Sequence, residues 1–394
     1  MIAIGAVLFQ ISLGGIYSWS VLARALQEDG GGFGISRAQA VLPFSVAIGV
    51  VFVGCFVGGR LQDRKGPRIV ALMGGGLYAA GTILSSLATD VSLFWLMLLA
   101  YGIVGGLGLG MAYIVPVAML QKWYPDKRGL ITGVAVGGFG FGAVLASPLA
   151  RWLVALYQPV PTRAFLPLGL CYLVLTVAGA SVFRNPPPRP AVPGPRRQDF
   201  TCAQALHTRQ WYMLTAMLTL NTISGIGFVA VTAGAAETLT GITAGAAAVL
   251  TGLMGLSNGA GRVILGMMSE RFGRMRIFTL ILTLEGLCLL AVPYATSLPL
   301  FVPLAAVIFA CFGGAYAVMP ATAGDFFGLT HAGAIYGLMN VAWSIGGVVG
   351  PLLVSTLAES AGYRTAFLTL ACIPLAATVL PVLTRPPGRR SLRR

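Results

Sequence analysis

Two ionisable residues interrupt stretches that are otherwise apolar: Arg262 in SNGAGRVILGMMS and Glu285 in LTLEGLCLL. A guanidinium keeps its charge at any physiological pH, and its planar fork matches a carboxylate through two parallel hydrogen bonds. Asn258 precedes Arg262 by four residues, which puts both side chains on one face of a helix. The pair predicts a site for a small organic anion. The basic end of the run is only about two turns away, so the competing account is an arginine on backbone carbonyls or snorkelling toward water. A carboxyl group at Glu285 would be far from water. That favours the protonated form and makes it a possible proton site, with a packing role as the alternative.

The elements that position these residues follow from hydropathy. The chain has 394 residues, 57% hydrophobic and only 9% charged, against about 25% charged in soluble domains. Uncharged runs long enough to cross a ~30 Å hydrocarbon core recur from Met1–Ala23 to Thr365–Thr384. Arg262 falls in the eighth run and Glu285 in the ninth, and Pro299 offers a turn between the ninth and tenth. The expectation is an all-α membrane protein of 12 transmembrane helices. The first run lacks a basic leader and is long enough to span, so it is expected to be a helix rather than a cleaved signal. Arg184–Gln210, rich in proline and arginine, suits an extended linker. The expected units are a six-helix bundle over residues 1–183, a linker over 184–209 and a second six-helix bundle over 210–394.

The net charge of +15 is a matter of placement. Twenty lysines and arginines fall in alternate loops and the second terminus, five fall in the intervening loops, and Arg262 remains inside a run. By the positive-inside rule both termini and the linker are cytoplasmic, with the bundle in a cell inner membrane. This accounts for the basicity without nucleic acid. The six cysteines have no C-x-x-C spacing, and both histidines fall in loops, so no metal site is expected. GGLGLG at Gly105–Gly110 imitates a dinucleotide loop but lies inside a spanning run, where small residues serve helix packing. None of the three lysines precedes Ser or Thr, so there is no Walker A loop to drive an ATP pump, and no cofactor or enzymatic activity is expected.

The two halves repeat. Gly59–Arg68 (GRLQDRKGPR) follows the second run and Gly266–Arg274 (GMMSERFGR) follows the eighth. Pro116, Gly129, Gly133 and Pro148 recur in order as Pro320, Gly333, Gly337 and Pro351. GRLQDRKGPR in this position resembles the signature loop of the major facilitator superfamily. Its Asp63 is suited to cap a helix N-terminus and to pair with Arg64 or Arg68 as a conformational latch. WYPDKRG at Trp123–Gly129, Tyr17-Ser18-Trp19 and Asp325–Gly328 (DFFG) are similar to the oxalate–formate antiporter and monocarboxylate transporter branch.

The resemblance implies alternating access between two bundles and a substrate-binding arginine at Arg262. Around it, Asn258, Tyr17, Tyr113, Tyr316, Asn221 and Asn340 are expected to face the cavity as hydrogen-bonding partners, with Trp343 as an apolar wall. The oxalate carrier of this branch has a lysine where this chain has Trp343, so a dianion would meet one fixed positive charge instead of two. The animal monocarboxylate transporters have an aspartate where this chain has Asn258 and a lysine in the first span that is missing here. The expected function is a secondary transporter of small monocarboxylates such as lactate, pyruvate or formate, with protons as the coupling ion, working as a monomer. An oxalate/formate-type anion exchanger is the alternative. A drug or cation:proton antiporter is further away, because span five has Ala146-Ser147-Pro148 and G-x-x-x-G-P appears only at Gly346–Pro351.

Overall fold

A computed structural model describes residues 1–27, 33–187 and 199–387. Part of the expected linker, including Arg189, Arg196 and Arg197, lies outside the described residues. So do Arg389, Arg390, Arg393 and Arg394 at the second terminus.

The apolar runs fold into α1 Ile2–Gln27, α2 Arg37–Lys65, α3 Pro67–Ser85, α4 Val91–Trp123, α5 Arg128–Leu156 and α6 Pro161–Ser181. After the five-residue helix Cys202–Leu206 come α7 Arg209–Thr240, α8 Ala244–Phe272, α9 Arg274–Tyr294 and α10 Leu298–Phe327. A last helical stretch, Ala332–Leu383, is broken at Gly362, where φ is +79°. It therefore holds two spans, α11 (332–361) and α12 (363–383). Among the described residues this gives the twelve spans read from the sequence, in two six-helix bundles. Pro299 differs from its expected role: it sits in the first turn of α10, where a missing N–H costs nothing.

Local sequence sets the ends. Ser36 and Gln39 form a capping box on α2, while Thr208 and Thr243 cap α7 and α8 through their hydroxyls. Gly66 and Gly273 both take positive φ, +85° and +93°, at matching points between α2 and α3 and between α8 and α9. Only glycine adopts that backbone freely, so the repeat in sequence is a repeat in conformation. Leu72, Trp95, Leu145, Val174, Leu253, Leu287, Leu352 and Val382 lie exposed on the outer surface. Such an apolar periphery is stable against lipid rather than water. The molecule is a multi-pass membrane protein.

The bundles meet chiefly through α5 against α8 and α2 against α11. A Cβ added at Gly59 would lie 2.2 Å from the Gly333 carbonyl oxygen, so these helices touch backbone to backbone. The GGLGLG segment behaves likewise, with Gly108 against the backbone at Tyr78 and Gly110 against Val51.

At the end bearing the basic loops, carboxylates reach across the interface. Glu270, at the end of α8, accepts from the Leu130 N–H in the first turn of α5 at 3.1 Å. Asp63, at the end of α2, lies by the Ala334 backbone in the first turn of α11. A carboxylate at a helix N-terminus contributes about 0.3–1 kcal/mol. The ion pair of Asp63 is with Lys122 at 3.3 Å; Arg64 and Arg68, the partners expected from the sequence, are exposed instead. These two arginines of the signature loop thus point outward while Asp63 turns in. Asp325 links Arg128 of α5 and Arg274 of α9, both at 2.9 Å. This end of the bundle is closed.

Candidate functional site

Arg262 occupies the midst of the interface and is 2% exposed, so it does not snorkel. Its Nε donates to Asn258 Oδ1 at 3.0 Å, one turn back on α8. Asn258 is itself fixed by donating to the Phe309 carbonyl of α10 at 3.0 Å. A terminal nitrogen of Arg262 crosses to the other bundle and donates to the Val136 carbonyl of α5 at 3.1 Å. Phe139, one turn further along α5, lies under the guanidinium, 5.5 Å from its carbon to the ring centroid. Of the five N–H donors on a guanidinium, two are engaged by these bonds. Among the described residues no other hydrogen bond engages the rest.

Aromatic rings close around this charge. Phe139 packs edge-on with Tyr17 (5.4 Å between centroids), Tyr113 (5.5 Å) and Trp343 (5.4 Å). Trp343 in turn contacts Tyr113 at 5.2 Å and Tyr316 at 5.8 Å. The cage therefore draws Tyr17, Tyr113 and Phe139 from the first bundle and Tyr316, Trp343 and Arg262 from the second. Tyr17 is delivered by a 3-10 turn, Gly15–Ser18, within α1. The Arg262 charge acts on the hydroxyls of Tyr17, Tyr113 and Tyr316, which places all three within electrostatic reach of it.

Among the described residues, one buried donor of the cage lacks a partner, the Trp343 Nε1. The Tyr113 hydroxyl faces that of the neighbouring Tyr336, and the two hydroxyls are each other's partners. A buried donor left unpaired costs about 1–3 kcal/mol. An acceptor that enters the cage relieves that cost, and an anionic acceptor meets the guanidinium as well. The arrangement is suited to a small carboxylate with one or two further oxygens.

Not every expected residue joins it. Asn221 is fully buried on α7, but its amide donates to Glu285 Oε2. The hydroxyl on that helix that meets the cage is Thr222, 2.9 Å from Tyr316 Oη. Asn340 donates to the Tyr336 carbonyl of its own helix at 2.9 Å. Phe139 and the Val136 carbonyl were not anticipated. Phe139 had a faint signal, as a large ring set among the glycines of span five; a backbone carbonyl carries none.

The site is also tightly buttressed. A Cβ at Gly133 would stand 2.3 Å from the Arg262 carbonyl oxygen. Gly133→Ala should push α5 away from α8, an overpacking cost of about 1–3 kcal/mol. Uptake per correctly folded protein, judged by a monodisperse elution profile, is expected to fall about tenfold; wild-type uptake would show that the contact is dispensable.

The family model for the Major Facilitator Superfamily matches residues 2–237 and 213–394. The chain is 29% identical to the oxalate:formate antiporter of Oxalobacter formigenes, covering 97% of this chain and 91% of that protein. It is 26% identical to the uncharacterized MFS-type transporter YhjX of Escherichia coli (strain K12), over 88% of this chain and 85% of that one. Among solved structures, the transporter FucP in its outward conformation superposes with a TM-score of 0.72 at 16% identity, covering 97% of both chains. Sequence, fold and matches over the whole length agree that this chain belongs to the Major Facilitator Superfamily of transporters.

Proposed function

We propose that the protein carries small monocarboxylates of the lactate, pyruvate or formate type by alternating access, with Arg262 neutralising the carboxylate. The observation that carries this reading is a buried guanidinium with two of its five donors engaged, in an aromatic cage whose Trp343 also has its donor unpaired among the described residues. Among the described residues, no second lysine or arginine joins the cage, which favours a monoanion over a dianion. The interbundle contacts of Asp63 and Glu270 would open as the bundles rock, making them the latch of the closed end. Residues 1–183 and 210–394 would be the moving bodies, joined by the linker. The distribution of basic loops supports cytoplasmic termini and a cell inner membrane.

Proton symport is the coupling that fits a carrier concentrating an anion. Exchange of one anion for another is the second reading, favoured by the similarity to the oxalate:formate antiporter. Uptake of labelled L-lactate, pyruvate and formate into proteoliposomes separates the two. Symport predicts that an inward proton gradient drives accumulation several-fold above equilibrium. Insensitivity to the gradient, with acceleration by internal anion, would replace symport by exchange. No uptake of any monocarboxylate would end the substrate assignment.

A further inference from the structure

Glu285 lies in the middle of α9, fully buried, with its carboxyl group against α7. Ser224 Oγ is 2.8 Å from its Oε1, and the Asn221 amide donates to Oε2. Both partners are neutral. The titratable groups that face it are thiols, Cys288 on α9 and Cys311 on α10. From α12, Ala371 and Leu375 pack at the adjoining Gly286. Among the described residues no lysine or arginine pairs with Glu285. A buried carboxylate without a cation is costly, and taking up a proton removes the cost.

The hydrogen bonds leave room for that proton. The Ser224 hydroxyl has one hydrogen and three acceptors in reach: Glu285 Oε1, and the carbonyls of Leu220 at 3.0 Å and Asn221 at 3.1 Å. When it donates to a carbonyl, its lone pair turns to Glu285, which must then supply a hydrogen of its own. The Asn221 Oδ1 is buried with no partner, and an amide rotation would present it as a second acceptor.

We propose that Glu285, clasped by Asn221 and Ser224, is a proton-binding site of this carrier, and that the bound proton fastens α7 to α9. This deepens the proton-coupled reading above and rests on it. On binding, the carboxylate takes one proton from water; the new O–H donates to Ser224 Oγ, and Ser224 donates to the Leu220 carbonyl. On release the proton returns to water and the Ser224 hydroxyl turns back to the carboxylate. Thr222 lies between the two clasp residues and turns its hydroxyl to Tyr316, 2.9 Å away, at the edge of the cage. One helix thus meets the proton site and the anion site on adjacent faces, so a movement of α7 that opens one is felt at the other.

Two measurements on the full-length protein in proteoliposomes test this. In infrared spectra taken across a pH titration, wild type should show a carboxylic-acid carbonyl band that titrates and that Glu285→Gln removes. A missing band, or one that survives Glu285→Gln, overturns the proton site whatever the transport data say. In transport, Glu285→Gln should lower the ratio of gradient-driven lactate accumulation to lactate counterflow at least tenfold. A wild-type ratio would reduce Glu285 to a packing role. Ser224→Ala, which keeps the carboxyl group, should shift the midpoint of the titrating band, and an unmoved midpoint would count against the clasp. If wild type itself ignores the proton gradient, the coupling reading fails, while the infrared arm still decides whether Glu285 binds a proton.

Discussion

Arg262→Ala is expected to abolish concentrative uptake of monocarboxylates. The substitution removes the one cation in the cage and leaves the Asn258 oxygen and the Val136 carbonyl without their donor. Truncating one member of a buried, hydrogen-bonded charge pair costs about 2–5 kcal/mol, equivalent to a roughly 30-fold to several-thousand-fold loss in affinity. Arg262→Lys is the sharper variant, because it keeps the charge and loses the fork. A lysine is a compact point charge and cannot hold Asn258, Val136 and a substrate in the present geometry. Its substrate affinity, read from concentration-dependent uptake, should fall by about tenfold or more. Wild-type kinetics in either variant would mean that the anion binds elsewhere.

The second large effect is a change of substrate charge. Trp343 packs on Tyr113, Phe139 and Tyr316 at the centre of the cage, with its indole nitrogen unpaired. Trp343→Lys places a second cation there. Two opposite unit charges about 7 Å apart at an effective dielectric of 20 attract by about 2 kcal/mol. The ratio of dicarboxylate to monocarboxylate uptake should therefore rise by more than tenfold. Competition of oxalate and formate against labelled substrate measures it directly. If the ratio stays put while uptake continues, the valence of the cargo is not set by the charge count of this cage.

Much of the fold was legible because the solvent is so selective. A segment such as Ile69–Thr89 has few options in hydrocarbon other than a helix, since every backbone polar group must be satisfied within the segment. The paired loops after α2 and α8 were equally readable, down to the matching glycines that turn the chain. What stayed hidden was partnership across the interface. Asp63 has arginines on either side of it in the signature loop, yet its ion partner Lys122 is 59 residues away. Sequence spacing cannot reveal a contact that exists only once α2 and α4 are packed.

The same limit separates the site residues. Arg262 and Asn258 were legible as a pair because helical geometry relates positions four apart. Tyr113, Tyr316 and Trp343 could be proposed from their spans. Asn221 and Thr222 are one residue apart, a rotation of about 100° around the helix axis, and only the observed packing tells which of them meets the cage. Here the asparagine went to Glu285 and the threonine to Tyr316.

The bond from Arg262 to the Val136 carbonyl has a further meaning for the return step of a carrier. A carrier whose binding site repels its own closure without cargo can only swap one passenger for another. Here a peptide oxygen from the facing bundle accepts from the same guanidinium that would hold a carboxylate. The site thus carries a neutral partner of its own, which keeps the charge from standing bare between the bundles. Cargo would bind through the donors that this bond leaves free, and the bond is there to hold the charge when the cargo leaves. A carrier with such an internal partner would have a route back across the membrane without cargo, which is what net transport requires and strict exchange does not.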